Sequence, residues 1–267
     1  MSILTPAIAL ITDFGQADHY VAAMKAVIYT LSPNTPVIDI THEIEPYNVA
    51  QAMFNLEAVY RLFPPETIFV VVVDPGVGTS RKGLLIESPA GTFIGPDNGV
   101  FSLILGNESC HCFEIKPDWP AAPTFHGRDI FARVAAMKVT NKKIPTVPTE
   151  PTILDLMAQK KDANTLEAKV IHIDRFGNAI LNFRKLDWEK RYKSRPFGVR
   201  YEGVTFDRWA DTFGHLEPGE IGLIWGSSGF LQLSANQQNA ANLLLLRQEI
   251  SMQIRFKLSL LKTYEAH

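Results

Sequence analysis

Cysteine is nearly missing from this chain, with two residues in 267, Cys110 and Cys112. That excludes a disulfide framework as the source of its stability. A chain of this length can fold on an apolar core alone. On a strand the two cysteines, at i and i+2, share one face with His111 on the other. The expectation is a pair of buried strand thiols, because the spacing is not the Cys-x-x-Cys of zinc sites. Long apolar runs are missing too. The longest strongly apolar stretch, 68–73, is far too short to cross a bilayer. The apolar start (Ile3, Leu4, then 7–11) is broken by Thr5-Pro6 and carries no basic leader. It leads straight into Thr12-Asp13-Phe14-Gly15, as a first core strand does and a signal peptide does not, so the expected compartment is the cytoplasm. Nor does one sign of charge dominate. Lys and Arg number 26 and Asp and Glu 28, a formal charge of −2 with no long basic run. Neither nucleic acid nor a membrane is an expected partner.

What is present is an ordinary globular composition, 46% hydrophobic and 20% charged. The first half alternates between strand and helix patterns. Residues 7–12 read as a buried strand, and 21–31 as a helix with Val21, Met24, Ile28 and Leu31 on one face. Pro33 and Pro36 end that helix, and 37–40 form the next strand. Asn48 can cap a helix buried through Val49, Met53, Leu56, Val59 and Tyr60. The β-branched run 68–73 suits a central strand covered on both faces. Strands at 84–87 and 92–94 follow, then helices at 100–105 and 129–139. This is the pattern of an α/β sheet domain. Between 141 and 169 the pattern stops, with Pro145, Pro148 and Pro151 and a polar stretch at 160–164, which places a domain boundary near 165. Domains of 1–165 and 166–267 result. The second is read as strands at 170–173, 179–183, 198–201, 221–225, 230–233 and 252–256, with a helical turn or two within 240–246. Short strands with glycine punctuation predict a small β-barrel or sandwich.

Five polar, glycine-containing clusters interrupt these elements, where an α/β sheet carries its ligand-binding loops. In Thr12-Asp13-Phe14-Gly15, with Asp18 behind it, an ionised carboxylate can accept hydrogen bonds from a ribose diol. Helix capping by Asp13 or Asp18 is the simpler alternative. Asp74-Pro75-Gly76-Val77-Gly78-Thr79-Ser80-Arg81 follows the most buried strand and lacks the Gly-Lys-Ser/Thr ending of a phosphate loop. Asp74 can hold or deprotonate a water with Arg81 steering it, or the two can form a structural ion pair in a turn. Gly95-Pro96-Asp97-Asn98-Gly99 is a strong turn signal. His126-Gly127-Arg128-Asp129 offers a proton carrier in His126 and a helix cap in Asp129. The fifth comprises Asp174-Arg175-Phe176-Gly177-Asn178, Ser227-Ser228-Gly229-Phe230 and Ser234-Ala235-Asn236. It offers amides suited to an adenine edge and hydroxyls suited to a carboxylate. Turn chemistry accounts for each of these taken singly.

In this order, over residues 7–256, the clusters resemble the S-adenosylmethionine (SAM) hydrolases, also called SAM hydroxide adenosyltransferases, relatives of the fluorinating and chlorinating SAM enzymes. The resemblance implies an N-terminal α/β domain, a C-terminal β-barrel and a homotrimer with sites between subunits. It implies that Asp74, Arg81 and His126 act on water and that Asp13 grips the ribose. Asp18 and Asp174 would lie near the methionine amine, Asn178 and Asn236 on the adenine side, and Ser227 at the methionine carboxylate. Ser228 stands where the halogenases have arginine, and Gln238 where glycine is more usual. SAM is implied as substrate, with adenosine and methionine as products and no cofactor or metal.

The chemistry fits these residue types. A sulfonium leaves as a neutral thioether, so no general acid is needed, and the site must supply a nucleophile in line with the C5′–S bond. Two other readings compete. A 5′-halogenase would need an anion beside Asp74, which like charge opposes, and no extra loop separates Arg81 from Gly95. A non-catalytic adenosine or SAM sensor would bind without turnover.

Overall fold

The computed structural model describes residues 6–257. Ile3, Leu4 and the stretch 258–267, to which the sequence assigns no role, lie outside the described residues. The chain forms two compact units that part between Asp155 and Leu156, upstream of the expected boundary near 165. The reason is Asn182, whose Nδ2 donates to Leu156 O at 2.7 Å while its own carbonyl accepts from Ala158 N–H at 2.9 Å. These bonds tie the polar connector to the second unit.

The first unit is built from β1 (Ile8–Thr12), α1 (Tyr20–Leu31), β2 (Val37–Thr41), α2 (Val49–Val59), β3 (Ile68–Val72), β4 (Gly83–Ser88), β5 (Gly91–Pro96), α3 (Ser102–Asn107), β6 (His111–Ile115), α4 (Arg133–Val139) and β7 (Thr146–Pro148). Its sheet runs β2-β1-β3-β5-β4-β6-β7. The first four strands are parallel, and β4, β6 and β7 join antiparallel. Period-two alternation sends Ile8, Leu10, Ile68, Val70 and Val72 to one face, against Met24 and Ile28 of α1 and Val134 of α4. Ala9, Ile11, Phe69, Val71 and Val73 go to the other, against Ala52 and Leu56 of α2 and Ile104 of α3. Both faces are covered, which is why β1 and β3 read as continuous apolar runs. Truncating Leu10, which is fully buried, to alanine would cost ~2–5 kcal/mol. Asn48 caps α2 as expected, its Oδ1 accepting from Gln51 N–H at 2.9 Å.

Several local expectations are corrected. Cys110 and Cys112 are half-buried free thiols instead of buried ones, because β6 lies next to the outermost strand. Neither Asp13 nor Asp18 caps α1; His19 holds that position without a side-chain bond. The segment expected as one helix over 129–139 starts as a π-helical turn, Gly127–Ala132, which runs into α4. Asp129 falls inside that turn and caps nothing.

The second unit comprises β8 (Gln159–Lys160), β9 (Thr165–Ile173), β10 (Ala179–Arg184), α5 (Lys185–Tyr192), β11 (Phe197–Tyr201), β12 (Val204–Phe206), β13 (Ile221–Trp225), β14 (Phe230–Ala235), α6 (Ala240–Leu243) and β15 (Ser251–Phe256). The sheet order is β12-β11-β15-β9-β10-β14-β13, with β8 beside β9. Its ends nearly meet. Just beyond β12, Arg208 O accepts from Leu223 N–H of β13 at 2.8 Å, and Ala210 N–H donates to Leu223 O at 3.1 Å. This is the expected small barrel, filled by Leu166, Ala168, Val170, Leu181, Phe183, Leu231 and Leu233. Helix α5 has no fully buried residue and no strong apolar stripe. Only Trp188 and Tyr192, at i and i+4, pack on the core, and so the periodicity misses it. Among the described residues no helix is long and apolar enough to cross a membrane.

Candidate active site

Strands β1 and β3 are parallel neighbours with Thr12 opposite Val72. Their carboxyl ends therefore release Asp13 and Asp74 side by side. The chain leaves β1 for β2 on one side and later crosses to β3 on the other, which makes this the switch point of the sheet. Open α/β sheets bind ligands in that crevice. Here a cavity of about 330 Å³ is lined by Asp13, Phe14, Asp18, Tyr20, Tyr47, Asp74, Val77, Phe125, His126 and Gly127, among others.

The glycine-rich turn after β3 folds Arg81 back onto Asp74. Asp74 Oδ1 accepts from Gly76 N–H at 3.2 Å, and Thr79 Oγ1 both donates to Gly76 O and accepts from Arg81 N–H. Gly78 has φ +77°, and a Cβ there would stand 2.9 Å from Pro123 O, so the turn requires glycine. Arg81 then meets Asp74 through both forks: Nε donates to Oδ1 at 3.1 Å and Nη2 to Oδ2. Nη2 also lies 3.1 Å from Nδ1 of His126. The side chains of Arg81 and Asp74 retain only 8% and 5% exposure. In so dry a place a charge left alone is costly, so this pair is required as a pair.

His126 stands just ahead of the π-helical turn. Burial first, and the Arg81 charge second, hold its imidazole below the ordinary histidine range. Its segment is tied down by Asp129. That carboxylate takes Ala122 N–H at 2.8 Å and the Arg128 guanidinium, while Asp129 O accepts from Trp119 Nε1. Asp13 is half-buried and accepts Tyr47 N–H at 2.8 Å. Burial pushes its carboxyl above the usual range, and the Asp74 charge adds to that. Asp18 is exposed on the cavity rim. The Asp97-Asn98 turn is structural, with Asn98 Nδ2 on Val73 O and Asp97 Oδ1 on Thr152 N–H.

The aromatic wall is what residue-by-residue reasoning missed. Phe14, Tyr20 and Phe125 pack with centroids 5.2–6.0 Å apart. Tyr47 is 69% exposed and left-handed, with φ 68°. An unusual φ at a non-glycine beside polar clusters marks functional loops, but no sequence pattern announces it.

In the second unit Asp174 organises its own turn. Its Oδ1 accepts the backbone N–H groups of Phe176 and Asn178, both at 2.9 Å, and its Oδ2 accepts Asn178 Nδ2 at 2.7 Å. Asn178 is thereby fixed on the wall of a cavity of about 490 Å³, with Phe176, Phe213, Ala235, Gln237, Gln238 and Asn239. Asn236 is not on that wall; its Nδ2 is committed to Leu216 O at 2.7 Å. Ser227 is exposed on the turn before β14 and borders neither cavity. A further open cavity of about 600 Å³, with Lys185, Arg208, Trp209 and Trp225 on its walls, holds none of the residues picked from sequence. Among the described residues no three His, Cys, Asp or Glu side chains converge as metal ligands.

A switch-point crevice lined by carboxylates and aromatics in the first unit, and a barrel with an amide-lined cavity in the second, define a class of two-domain enzymes. Residues 8–148 match the SAM hydroxide adenosyltransferase N-terminal domain and 168–253 its C-terminal domain. The chain belongs to the SAM hydroxide adenosyltransferase family. A relative from Salinispora tropica, named (R)-S-adenosyl-L-methionine hydrolase, is 35% identical over 90% of this chain and 94% of its own. One of the same name from Methanocaldococcus jannaschii is 34% identical over 89% and 91%. A fluorinase from Nocardia brasiliensis is more distant, at 25% identity over 94% and 97%. The crystal structure of an uncharacterized conserved protein from Thermotoga maritima superposes with a TM-score of 0.82 at 32% identity, covering 93% of this chain and 99% of that one.

Proposed function

We propose that this enzyme hydrolyses S-adenosyl-L-methionine at ribose C5′, giving adenosine and L-methionine. The observation that carries the reading is the Asp74–Arg81–His126 cluster on the cavity wall. Water is a weak nucleophile and gains most from being held in line with the C5′–S bond. Asp74 accepts a hydrogen bond from that water and draws its proton as the C–O bond forms. Arg81 fixes the carboxylate in one orientation. His126, accepting from Arg81 through Nδ1, keeps its N–H on Nε2, a donor in a ring that lines the cavity. The sulfonium departs as the neutral thioether of methionine, and no acid is needed.

Asp13 takes the ribose hydroxyls, with Asp18 close by for the amine end. The Phe14–Tyr20–Phe125 wall excludes water. The second unit supplies the adenine side through Asn178, held in place by Asp174. Gln237, Gln238 and Asn239 replace Asn236 in this reading, because they line the cavity with Asn178 and Asn236 does not. Ser227 remains the candidate for the methionine carboxylate. We further propose a homotrimer in which the cavity of the first unit in one chain meets that of the second unit in its neighbour.

Incubating purified protein with SAM and following adenosine and methionine by chromatography tests this directly; absence of both overturns it and favours a sensor. Concentrated chloride or fluoride in the same assay should yield no 5′-halogenated adenosine. An anion beside Asp74 would lose its hydration and gain no partner.

A further inference from the structure

One buried histidine of the first unit takes no part in the cluster around Asp74. His42, in the turn after β2, is 2% exposed. Its Nδ1 lies 2.8 Å from Oγ1 of Thr12, the fully buried last residue of β1. Its Nε2 stands 3.0 Å from Asp39 Oδ1, an ion-pair contact that lacks the alignment of a hydrogen bond, and the other oxygen of Asp39 accepts from Lys25 Nζ of α1 at 2.6 Å. Thr12 Oγ1 also accepts from Phe14 N–H at 3.3 Å, and His42 O accepts from Gly15 N–H at 2.8 Å.

These contacts have one consistent direction. A carboxylate beside Nε2 favours the proton there, which leaves Nδ1 as the acceptor. Thr12 must then donate its only hydroxyl proton to Nδ1 and keep its oxygen for Phe14 N–H. The chain runs Asp39, His42, Thr12, Phe14, and it fastens the backbone on both sides of Asp13. The Asp13 carboxylate is held by backbone N–H groups, that of Tyr47 at 2.8 Å and its own. Its aim therefore depends on the backbone of 12–15, and that backbone is held from behind by His42.

We propose that Asp39, His42 and Thr12 are positioning residues that set the angle at which Asp13 meets the ribose hydroxyls. They govern substrate affinity and not turnover. This rests on the reading of Asp13 as the ribose contact, so the experiment separates the two. Adenosine and 2′,3′-dideoxyadenosine are titrated calorimetrically into wild type, Thr12→Val and Thr12→Ser. Thr12→Val should bind adenosine about tenfold more weakly, with the dideoxy nucleoside changed by less than about twofold, and Thr12→Ser should restore adenosine binding. For SAM, Thr12→Val should raise KM about tenfold with kcat within about threefold. A Thr12→Val protein that binds adenosine as wild type does, or loses both nucleosides equally, overturns the relay. Wild type that does not distinguish the two nucleosides overturns the ribose reading of Asp13 instead. Should Thr12→Val fail to fold, His42 decides. His42→Asn keeps an acceptor where Nδ1 was, and His42→Gln moves it to the place of Nε2. Glutamine should weaken adenosine and asparagine should not; equal effects overturn the proposal.

Discussion

Nδ1 of His126 lies 3.1 Å from Nη2 of Arg81, and since a guanidinium can only donate, the imidazole is the acceptor. The same nitrogen of Arg81 serves Asp74. One arginine thus fixes the orientation of the carboxylate and the tautomer of the histidine together, and the predictions for the reacting end of the site follow from it.

Acid should break this link in a definite pH range. The His126 pKa is lowered by burial and by Arg81, so the folded protein resists protonation that the unfolded chain accepts near pH 6.5. Activity should persist at pH 6.5 and fall at lower pH, as the folded imidazole protonates and repels Arg81. Stability should begin to decline earlier, between the unfolded pKa and the lower folded one, because there the unfolded state binds more protons. Rate and thermal midpoint measured from pH 8 to 5 check both. His126→Asn, which retains an acceptor near Nδ1, should lose the acid limb; an unchanged limb in that variant would assign it to another group.

Asp74→Asn should keep SAM affinity while slowing adenosine formation by about two to four orders of magnitude, the usual worth of a general base. It retains one oxygen to accept from Arg81. Asp74→Ala does not, and should in addition lower stability by ~3–5 kcal/mol, because a buried guanidinium is left unpaired. Single-turnover assays and denaturant unfolding separate the two effects. A fully active Asp74→Asn would remove Asp74 from the mechanism.

Asp13 should show an exchange of stability for binding. Its folded pKa is raised by burial, with the Asp74 charge adding to it. A carboxyl raised in this way favours folding while protonated, and the benefit is lost as pH rises through the folded value. Asp13→Asn should therefore melt higher than wild type at pH 7 and lose that advantage near pH 3. Its KM for SAM should rise roughly ten- to hundredfold, the worth of a hydrogen bond to a charged group. Equal melting gains at both pH values would contradict the electrostatic account.

The shared site is tested by complementation. Asp74→Ala and Asn178→Ala should each be nearly inactive. Co-expressed at equal levels in a closed ring of three, they should recover about a quarter of wild-type activity, since one interface in each mixed trimer pairs two intact units. Mixed complexes isolated by two affinity tags that stay inactive would exclude a site built across subunits.

Much of this was legible in the chain itself. Runs such as Ile68-Phe-Val-Val-Val announce a strand buried on both faces, because alternate side chains enter different cores. Asp13 and Asp74 stand out because polar residues directly after such runs have no core to join, and His126 because it stands just ahead of a helical segment. Cys110 and Cys112 were misplaced for the opposite reason: strand periodicity gives the shared face but not how near the sheet edge it lies. Helix α5 escaped because its contact with the barrel is two aromatic side chains and not a stripe.

Local sequence thus determined the elements, the sheet with both faces covered and the loops that carry polar groups, since these depend on periodicity and turn chemistry within a few residues. The tertiary structure decided partnership. Thr12 opposite Val72 sets Asp13 beside Asp74, the Gly76–Gly78 turn swings Arg81 onto both Asp74 and His126, and Leu216 claims Asn236 while Asp174 claims Asn178. Both asparagines satisfy a hydrogen bond within the fold, yet only Asn178 lines the cavity, and which of two similar side chains faces that space depends on packing that exists only after folding.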